Sequence, residues 1–311
     1  MATASKEPHA IGTDRFEVAP TRHIGRWAAA TVVVLIGVAV VVSMTTNPRF
    51  EWRVVGHYFA APVILEGLGR TLALTAIAMG IGIALGAILA LMRLSSNPVM
   101  YGASSIYTWF FRGIPPLVLL IFVYNISALY PSFGVRIPFG GPLIFSANAN
   151  ALITPFTAAI IGLGLNESAF MGEIIRAGIH SVPPGQTEAA LSVGMSRLQV
   201  MRRIVLPQAM RLIIPPTGNE TIGMLKMTSL VSVLALSDLL YSAQLIYSAT
   251  FQTIPLLTVA TLWYLIATTI LTVAQRYAEL HFSHSTGTRG QPTLREQVRR
   301  NVLRRRGHSG Q

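Results

Sequence analysis

Long apolar runs alternate with short polar connections along most of the chain. Six of these runs are long enough to cross a bilayer as helices: 27–44, 71–92, 106–129, 153–175, 217–240 and 254–273. A spanning helix needs about 20 mostly apolar residues, and a helix satisfies its own backbone hydrogen bonds in lipid. The pattern therefore predicts an all-α, polytopic membrane protein.

Three details refine this pattern. The run 27–44 is long for a signal peptide and lacks a small-residue cleavage site after it, which favours a retained helix. Pro115 and Pro116 lie in the first half of the third run, where a missing N–H predicts a break or kink. Lys226 lies inside the fifth run.

The composition agrees with a membrane protein. Hydrophobic residues make up 52% of the 311 residues and charged residues 12%, against about 25% charged in soluble domains. The chain has no cysteine, which excludes disulfides and thiolate chemistry.

Arginine placement predicts the orientation. With the N-terminus in the cytoplasm, four basic residues face outward: Arg49, Arg53, Arg70 and Arg136. The other loop and tail arginines then face inward, as the positive-inside rule requires. Both termini are therefore expected in the cytoplasm, and the basic tail favours membrane lipid over nucleic acid as its partner.

Several kinds of site are not indicated. The two lysines, Lys6 and Lys226, are each followed by a residue other than Ser or Thr, so no phosphate-binding loop of the Walker type is present. Gly82 and Gly86 lie inside an apolar run, where their spacing predicts close helix packing. No metal site and no catalytic nucleophile with a base are predicted.

The connection between the fourth and fifth runs, about 177–216, is the most informative segment. Residues 186–193 favour a helix that Gly194 would end. Ser196 and Gln199 form a capping box for a second helix, which Pro207 is expected to interrupt. The segment suits insertion into a groove of a partner protein, although an amphipathic loop resting on the membrane is the alternative.

This segment resembles the EAA loop of bacterial ABC importer permeases, in which it is the coupling helix that docks on the ATPase. The similarity is carried by Glu188-Ala189-Ala190, Gly194 and 204–207. Three further stretches, 111–115, 166–176 and 226–231, are similar to the polar amino-acid branch of that family. The resemblance covers about residues 62–280.

The resemblance implies a five-helix ABC importer permease core plus one extra N-terminal spanning helix. The expected segments are 1–26 in the cytoplasm, 27–46 as the extra helix, 62–280 as the permease domain and 281–311 as a basic cytoplasmic tail. It implies a transporter subunit in the inner membrane, without catalytic residues, cofactor or metal of its own. ATP and Mg²⁺ would bind to a partner ATPase dimer.

The resemblance also implies partners and site residues. A second permease subunit and an extracytoplasmic amino-acid-binding protein would complete the importer. The expected coupling residues are Glu188, Ala189, Ala190, Gly194, Leu206 and Pro207. The candidate pathway residues are Arg112, Asn166, Glu167, Ser168, Lys226, Thr228 and Ser229.

Ionisable residues inside spans are costly and therefore functional candidates. Glu167 could meet a cationic group of the substrate, or could pair with Lys226 or Arg112 to hold helices together. Glu173 and Arg176 have the spacing of a structural ion pair. An ion-driven secondary transporter is the alternative function, and its repeat-related broken helices are not evident.

Overall fold

The computed structural model describes residues 24–136 and 143–283 and divides the chain into two units. The first unit contains helix α1 (Ile24–Thr46) and a 3-10 turn, Pro48–Phe50. Helix α1 is apolar along its length and long enough to span a bilayer, as predicted for the extra helix. The expected N-terminal segment and basic tail lie largely outside the described residues.

The second unit is built from helices, with one small hairpin. In chain order the helices are α2 (Trp52–Phe59), α3 (Pro62–Arg93), α4 (Pro98–Gly113), α5 (Pro116–Tyr124), α6 (Ile126–Leu129), α7 (Ala149–Leu152), α8 (Pro155–His180), α9 (Pro184–Ser192), α10 (Arg197–Val200), α11 (Leu206–Met227), α12 (Leu239–Thr250) and α13 (Thr253–Ser283). A π-turn, Met201–Val205, joins α10 to α11, and a 3-10 segment, Thr228–Leu234, follows α11.

The six predicted spans correspond to four long apolar helices and two bent pairs. Helices α1, α3, α8 and α13 each meet the length and hydropathy of a span. The third predicted span is α4 with α5, which meet at 101°, so the predicted proline break is confirmed. The fifth is the run Arg197–Leu234 with α12, bent by 45°. That helical run begins at Arg197, before the predicted span, and includes the second helix of the connection 177–216.

Helices α3 and α8 pack closely through glycines. A Cβ added to Gly82 would lie 2.5 Å from Glu167 Cγ, and one added to Gly86 would lie 2.6 Å from Met171 Cβ. The predicted packing role of Gly82 and Gly86 is confirmed. Around this contact lies the main core, which includes Leu74 of α3 and Leu163 of α8.

A second core joins α2, the first half of α3, α12 and α13. Asp238 caps α12 by accepting hydrogen bonds from the N–H groups of Tyr241 at 2.9 Å and Leu240 at 3.3 Å. The Thr71 hydroxyl of α3 accepts a hydrogen bond from the Leu239 N–H at 3.0 Å. The Asp238 cap thus orders the first turn of α12, and the Thr71 contact holds that turn against α3.

The connection before α8 contains a hairpin that the apolar pattern did not predict. Strand β1 (Ser132–Arg136) pairs antiparallel with β2 (Leu143–Asn148). Asn148 then caps α7 by accepting from the Asn150 N–H at 2.9 Å. The two strands are a local exception within an otherwise helical unit.

Candidate functional site

A glycine elbow ends helix α9 as predicted. Gly194 has φ +85°, a backbone conformation that side chains with a Cβ rarely adopt. Its N–H donates to Leu191 O at 3.0 Å, and the Met195 N–H donates to Ala190 O at 3.2 Å. These two bonds are the Schellman arrangement that satisfies the last carbonyls of a helix.

The second helix of the elbow begins at the predicted capping box. The Ser196 N–H donates to Gln199 Oε1 at 2.8 Å, and the Gln199 N–H donates to Ser196 Oγ at 3.4 Å. Pro207 does not interrupt this helix, contrary to prediction. The π-turn ends with the Leu206 N–H donating to Met201 O, and the wider turn carries the helix past the proline, which has no N–H to donate.

The predicted coupling residues divide into an exposed and a buried set. Glu188 and Ala189 are exposed, as are the apolar side chains of Val193 and Leu198. Ala190 is buried instead, and it packs in a small core beneath the elbow. Ala190 thus contributes to the packing beneath the elbow, and its expected role in coupling stays a prediction.

Glu188 also lies deeper in its helix than predicted. Helix α9 begins at Pro184, which places Glu188 in the second turn rather than the first. The dipole of the helix acts mainly within the first turn, so it adds little to Glu188. Leu206 and Pro207 are both exposed at the start of α11.

The break between α4 and α5 is supported from α8. Asn166 is buried, and its Nδ2 donates to the Phe111 carbonyl at 2.7 Å, close to the last turn of α4, where carbonyls lose their helical partners. The Ser168 hydroxyl lies 2.8 Å from the Tyr107 hydroxyl. Asn166 and Ser168 therefore tie α8 to α4 beside the break.

Glu167 is a buried carboxylate inside α8. Its exposed fraction is 1%, and the side chain fits against α3 where Gly82 leaves room for it. Its Oε1 is buried without a hydrogen-bond partner in the described part of the chain. Among the described side chains of residues 25–134 and 146–282, no cationic nitrogen lies within 4.0 Å of this carboxylate, so the expected alternative of a pair with Lys226 or Arg112 is absent there.

Glu220 is a second carboxylate near this position, which sequence reasoning missed. It lies half-buried on α11 and interacts electrostatically with both Glu167 and Arg112. The signal was available, because Glu220 is ionisable and lies inside the fifth predicted span.

The remaining pathway candidates bond mainly to their own helix. The Thr228 hydroxyl donates to Leu225 O and the Ser229 hydroxyl to Lys226 O, both at 2.7 Å. Lys226 itself is exposed. These residues lie where α11 changes to the 3-10 segment.

Glu173 and Arg176 form the predicted ion pair. Arg176 Nη2 lies 2.7 Å from Glu173 Oε2, and Arg176 Nε lies 3.0 Å from the same oxygen. Arg93, at the end of α3, approaches Glu173 Oε1 at 3.8 Å. Arg112 lies near these residues but contacts an aromatic ring instead, with its guanidinium 5.1 Å from the centre of the Phe170 ring.

Comparison with known proteins gives a consistent result. The family described as binding-protein-dependent transport system inner membrane component matches residues 82–283. The chain is 46% identical to an arginine transport system permease protein of Corynebacterium glutamicum, over 86% of this chain and 83% of that protein. It is 34% identical to a probable glutamine ABC transporter permease protein of Bacillus subtilis, over 71% and 94% of the two chains.

A solved structure shows the same architecture. It is described as an amino acid ABC transporter with histidines, and it is 35% identical with a TM-score of 0.60. The match covers 71% of this chain and 94% of that chain. The described helices of this chain thus follow a known membrane-protein fold.

Proposed function

The chain belongs to the family of binding-protein-dependent transport system inner membrane components, and we propose that it forms the pathway for a polar amino acid with a cationic side chain. As a family member it is a multi-pass inner membrane protein and a permease subunit of an ABC importer. It is a transporter component, and a separate ATPase subunit hydrolyses ATP. The comparisons give no support to the ion-driven alternative.

The observation that carries the proposed substrate is the buried carboxylate of Glu167. A carboxylate inside a span is costly unless a cation offsets it, and no such cation lies within 4.0 Å in the described residues. Glu220 adds a second negative charge nearby. A substrate with an ammonium or guanidinium group would supply the missing positive charge, through charge-assisted hydrogen bonds.

The similarity to an arginine permease supports this substrate class. That relative is 46% identical and matches most of this chain. Two acidic groups in one pathway favour a side chain that carries a positive charge in addition to the amino group. Arginine or a related cationic amino acid is therefore the substrate we propose.

We assign coupling to the elbow between α9 and α10. Glu188, Ala189, Val193 and Leu198 present one carboxylate and several apolar groups to solvent. An exposed apolar surface beside a charged residue suits binding in a groove on the ATPase. ATP and Mg²⁺ would bind to that partner, and closure of the ATPase dimer would move the two elbows together.

The assembly we propose contains two permease subunits, either two copies of this chain or this chain with a homologue. An extracytoplasmic binding protein would deliver the amino acid. Both termini and the elbow would lie in the cytoplasm, as the arginine distribution indicates.

The test is uptake by Glu167→Gln in vesicles that contain the importer and its binding protein. Removing the charge while keeping the shape should reduce arginine uptake about tenfold or more, since a hydrogen bond to a charged group contributes about 1.5–3 kcal/mol. Association with the ATPase should persist. Glu66→Gln is the matched control, because Glu66 is exposed and pairs with Arg70 on the surface.

Two results would argue against the proposal. Arginine uptake by Glu167→Gln equal to that of the control variant would remove Glu167 from the pathway. Loss of assembly in Glu167→Gln would instead assign the carboxylate to helix packing.

A further inference from the structure

A cleft of about 490 Å³ opens between the end of α3, the outer face of α4 and the second half of α8. Its lining includes Arg93, Arg112, Trp109, Phe170 and Glu173. It does not include Glu167 or Glu220 among its lining residues. The lining of the cleft therefore excludes the carboxylate pair proposed for the substrate, although its Arg112 interacts electrostatically with Glu220.

The charge inside this cleft is unbalanced. Arg93 and Arg112 contribute two positive charges, and Glu173 contributes one negative charge. Arg176 already binds Glu173 Oε2 through two nitrogens, at 2.7 and 3.0 Å. Glu173 is thus neutralised by a residue outside the lining, so the lining itself carries more positive than negative charge. Glu220, outside the lining, offsets part of the charge of Arg112.

Arg93 has an unfilled hydrogen-bond donor, and both lining arginines lie over aromatic rings. The contact from Arg93 to Glu173 is 3.8 Å, which is longer than a hydrogen bond. Arg93 Nη1 is without a hydrogen-bond partner among the described residues. Both guanidinium groups instead lie over aromatic rings, Arg93 over Tyr101 and Arg112 over Phe170, each at 5.1 Å.

The cleft also has the surroundings of a membrane–water boundary. Helix α4 is amphipathic, and its exposed apolar residues include Tyr101, Trp109 and Phe110. Since α4 and α5 meet at 101°, at most one of the two helices can lie along the bilayer normal. Trp and Tyr concentrate at the level of the lipid headgroups, and an amphipathic helix with aromatic residues suits that level.

We infer that this cleft binds the headgroup phosphate of an anionic phospholipid, with the acyl chains along the exposed face of α4. Arginine forks match the geometry of phosphate oxygens, and a positive cleft at the interface attracts anionic lipid. The inference requires that the chain lies in a membrane, but it does not depend on which amino acid is carried.

Lipid retention by the purified permease–ATPase complex tests this inference. The complex is exposed in detergent to phosphatidylglycerol or phosphatidylcholine, and bound lipids are counted by native mass spectrometry. The unmodified complex should retain phosphatidylglycerol about tenfold better than phosphatidylcholine. Both lipids carry a phosphate, but phosphatidylcholine adds a choline cation that a positive cleft disfavours, and about 1.4 kcal/mol corresponds to tenfold. Equal retention of both lipids would overturn the inference.

Variants locate the site. Arg93→Gln and Arg112→Gln should each remove most of the preference for phosphatidylglycerol. If the Arg93→Gln complex does not assemble, the lipid preference of Arg112→Gln alone tests the site, because Arg112 lies outside the Glu173 ion-pair cluster. Arg276→Gln is the matched control, since it removes an exposed arginine of α13 that does not line the cleft. Equal loss in Arg276→Gln would show a general charge effect and overturn the site.

Two further measurements distinguish a bound phospholipid from other occupants of the cleft. Displacement of bound phosphatidylglycerol by excess inorganic phosphate would identify a free-phosphate site and overturn the lipid assignment. The chain has no cysteine, so Trp109→Cys introduces a single reactive thiol at the cleft. Labelling of this thiol by a lipid-soluble maleimide supports the inference, whereas a disulfide between two copies would show that a second permease covers the cleft.

Discussion

The elbow at Gly194 allows a prediction with a calculable cost. A Cβ added at Gly194 would meet nothing within 4 Å, so the cost of a substitution is set by the backbone at φ +85°. A left-handed conformation costs a residue with a Cβ about 1–2 kcal/mol, and a β-branched residue is more strongly disfavoured there. Such a cost reduces the population of the native elbow about 5- to 30-fold.

Relaxation of the backbone would not avoid this cost. If a variant leaves the left-handed region, the two Schellman hydrogen bonds of Gly194 and Met195 are lost, at about 1 kcal/mol each. The direction of α10 relative to α9 then changes, while the helices of the membrane core keep their own contacts. The expected phenotype is an inserted protein of near-normal abundance that no longer couples ATP hydrolysis to import.

The assay is arginine uptake, together with ATPase activity stimulated by the loaded binding protein, in vesicles. Activity should fall in the order Gly194, Gly194→Asn, Gly194→Ala and Gly194→Val, because Asn tolerates the left-handed region best of the three. Gly185→Ala and Gly185→Val are matched controls in α9, the helix that Gly194 ends. A Cβ at Gly185 also meets nothing within 4 Å, and its φ lies outside the left-handed range.

The order of the variants decides the outcome. Coupled transport by Gly194→Val at the level of Gly185→Val would refute the requirement for a left-handed residue. It would also remove the main support for the elbow as the coupling element.

Three other predictions follow from the packing and the topology. Gly82→Ala should lower the unfolding temperature, because overpacking against Glu167 costs about 1–3 kcal/mol. Gly80→Ala is the control and should not lower it, since a Cβ there meets nothing within 4 Å. Equal unfolding temperatures of the two variants would contradict the close contact at Gly82. Asp238→Ala should lose the cap of α12 and about 1 kcal/mol of stability, measured by thermal unfolding, and a lack of effect would show that the cap is dispensable. A reporter fused at Gln199 should give a cytoplasmic signal, and an external signal would contradict the proposed orientation.

The features predictable from sequence are those that depend on local chemistry. Apolar runs gave the spanning helices, because lipid restricts the chain to closed helices. Gly194, the Ser196 capping box and the Glu173–Arg176 pair each depend on residues a few positions apart. The structure has all three where they were expected.

The features that sequence reasoning missed depend on distant contacts. Proline predicted a break in the third span, but the 101° bend depends on how α8 supports it, through the hydrogen bond from Asn166 to Phe111 O. Pro207 suggested an end to a helix, and the π-turn before it allowed the helix to continue. The inward position of Ala190 depends on the core beneath the elbow, which no local pattern reveals.

The continuity of the helix after the elbow connects the two halves of the proposed function. The run from Arg197 to Leu234 is a continuous helical segment with a π-turn near its start, Pro215 and Pro216 inside α11 and a 3-10 segment at its end. If the elbow couples to an ATPase as proposed, a displacement at the exposed Leu198 would move along α11 toward Glu220, which interacts electrostatically with Glu167. Beyond the 3-10 segment, Ala235 has a φ of 55° and the chain bends by 45° into α12. Because the hydrogen bond from the Leu239 N–H to the Thr71 hydroxyl ties α12 to α3, motion of this helical segment should be absorbed at the bend. Glu167 and Glu220 would then change their separation while α12 stays in place against α3.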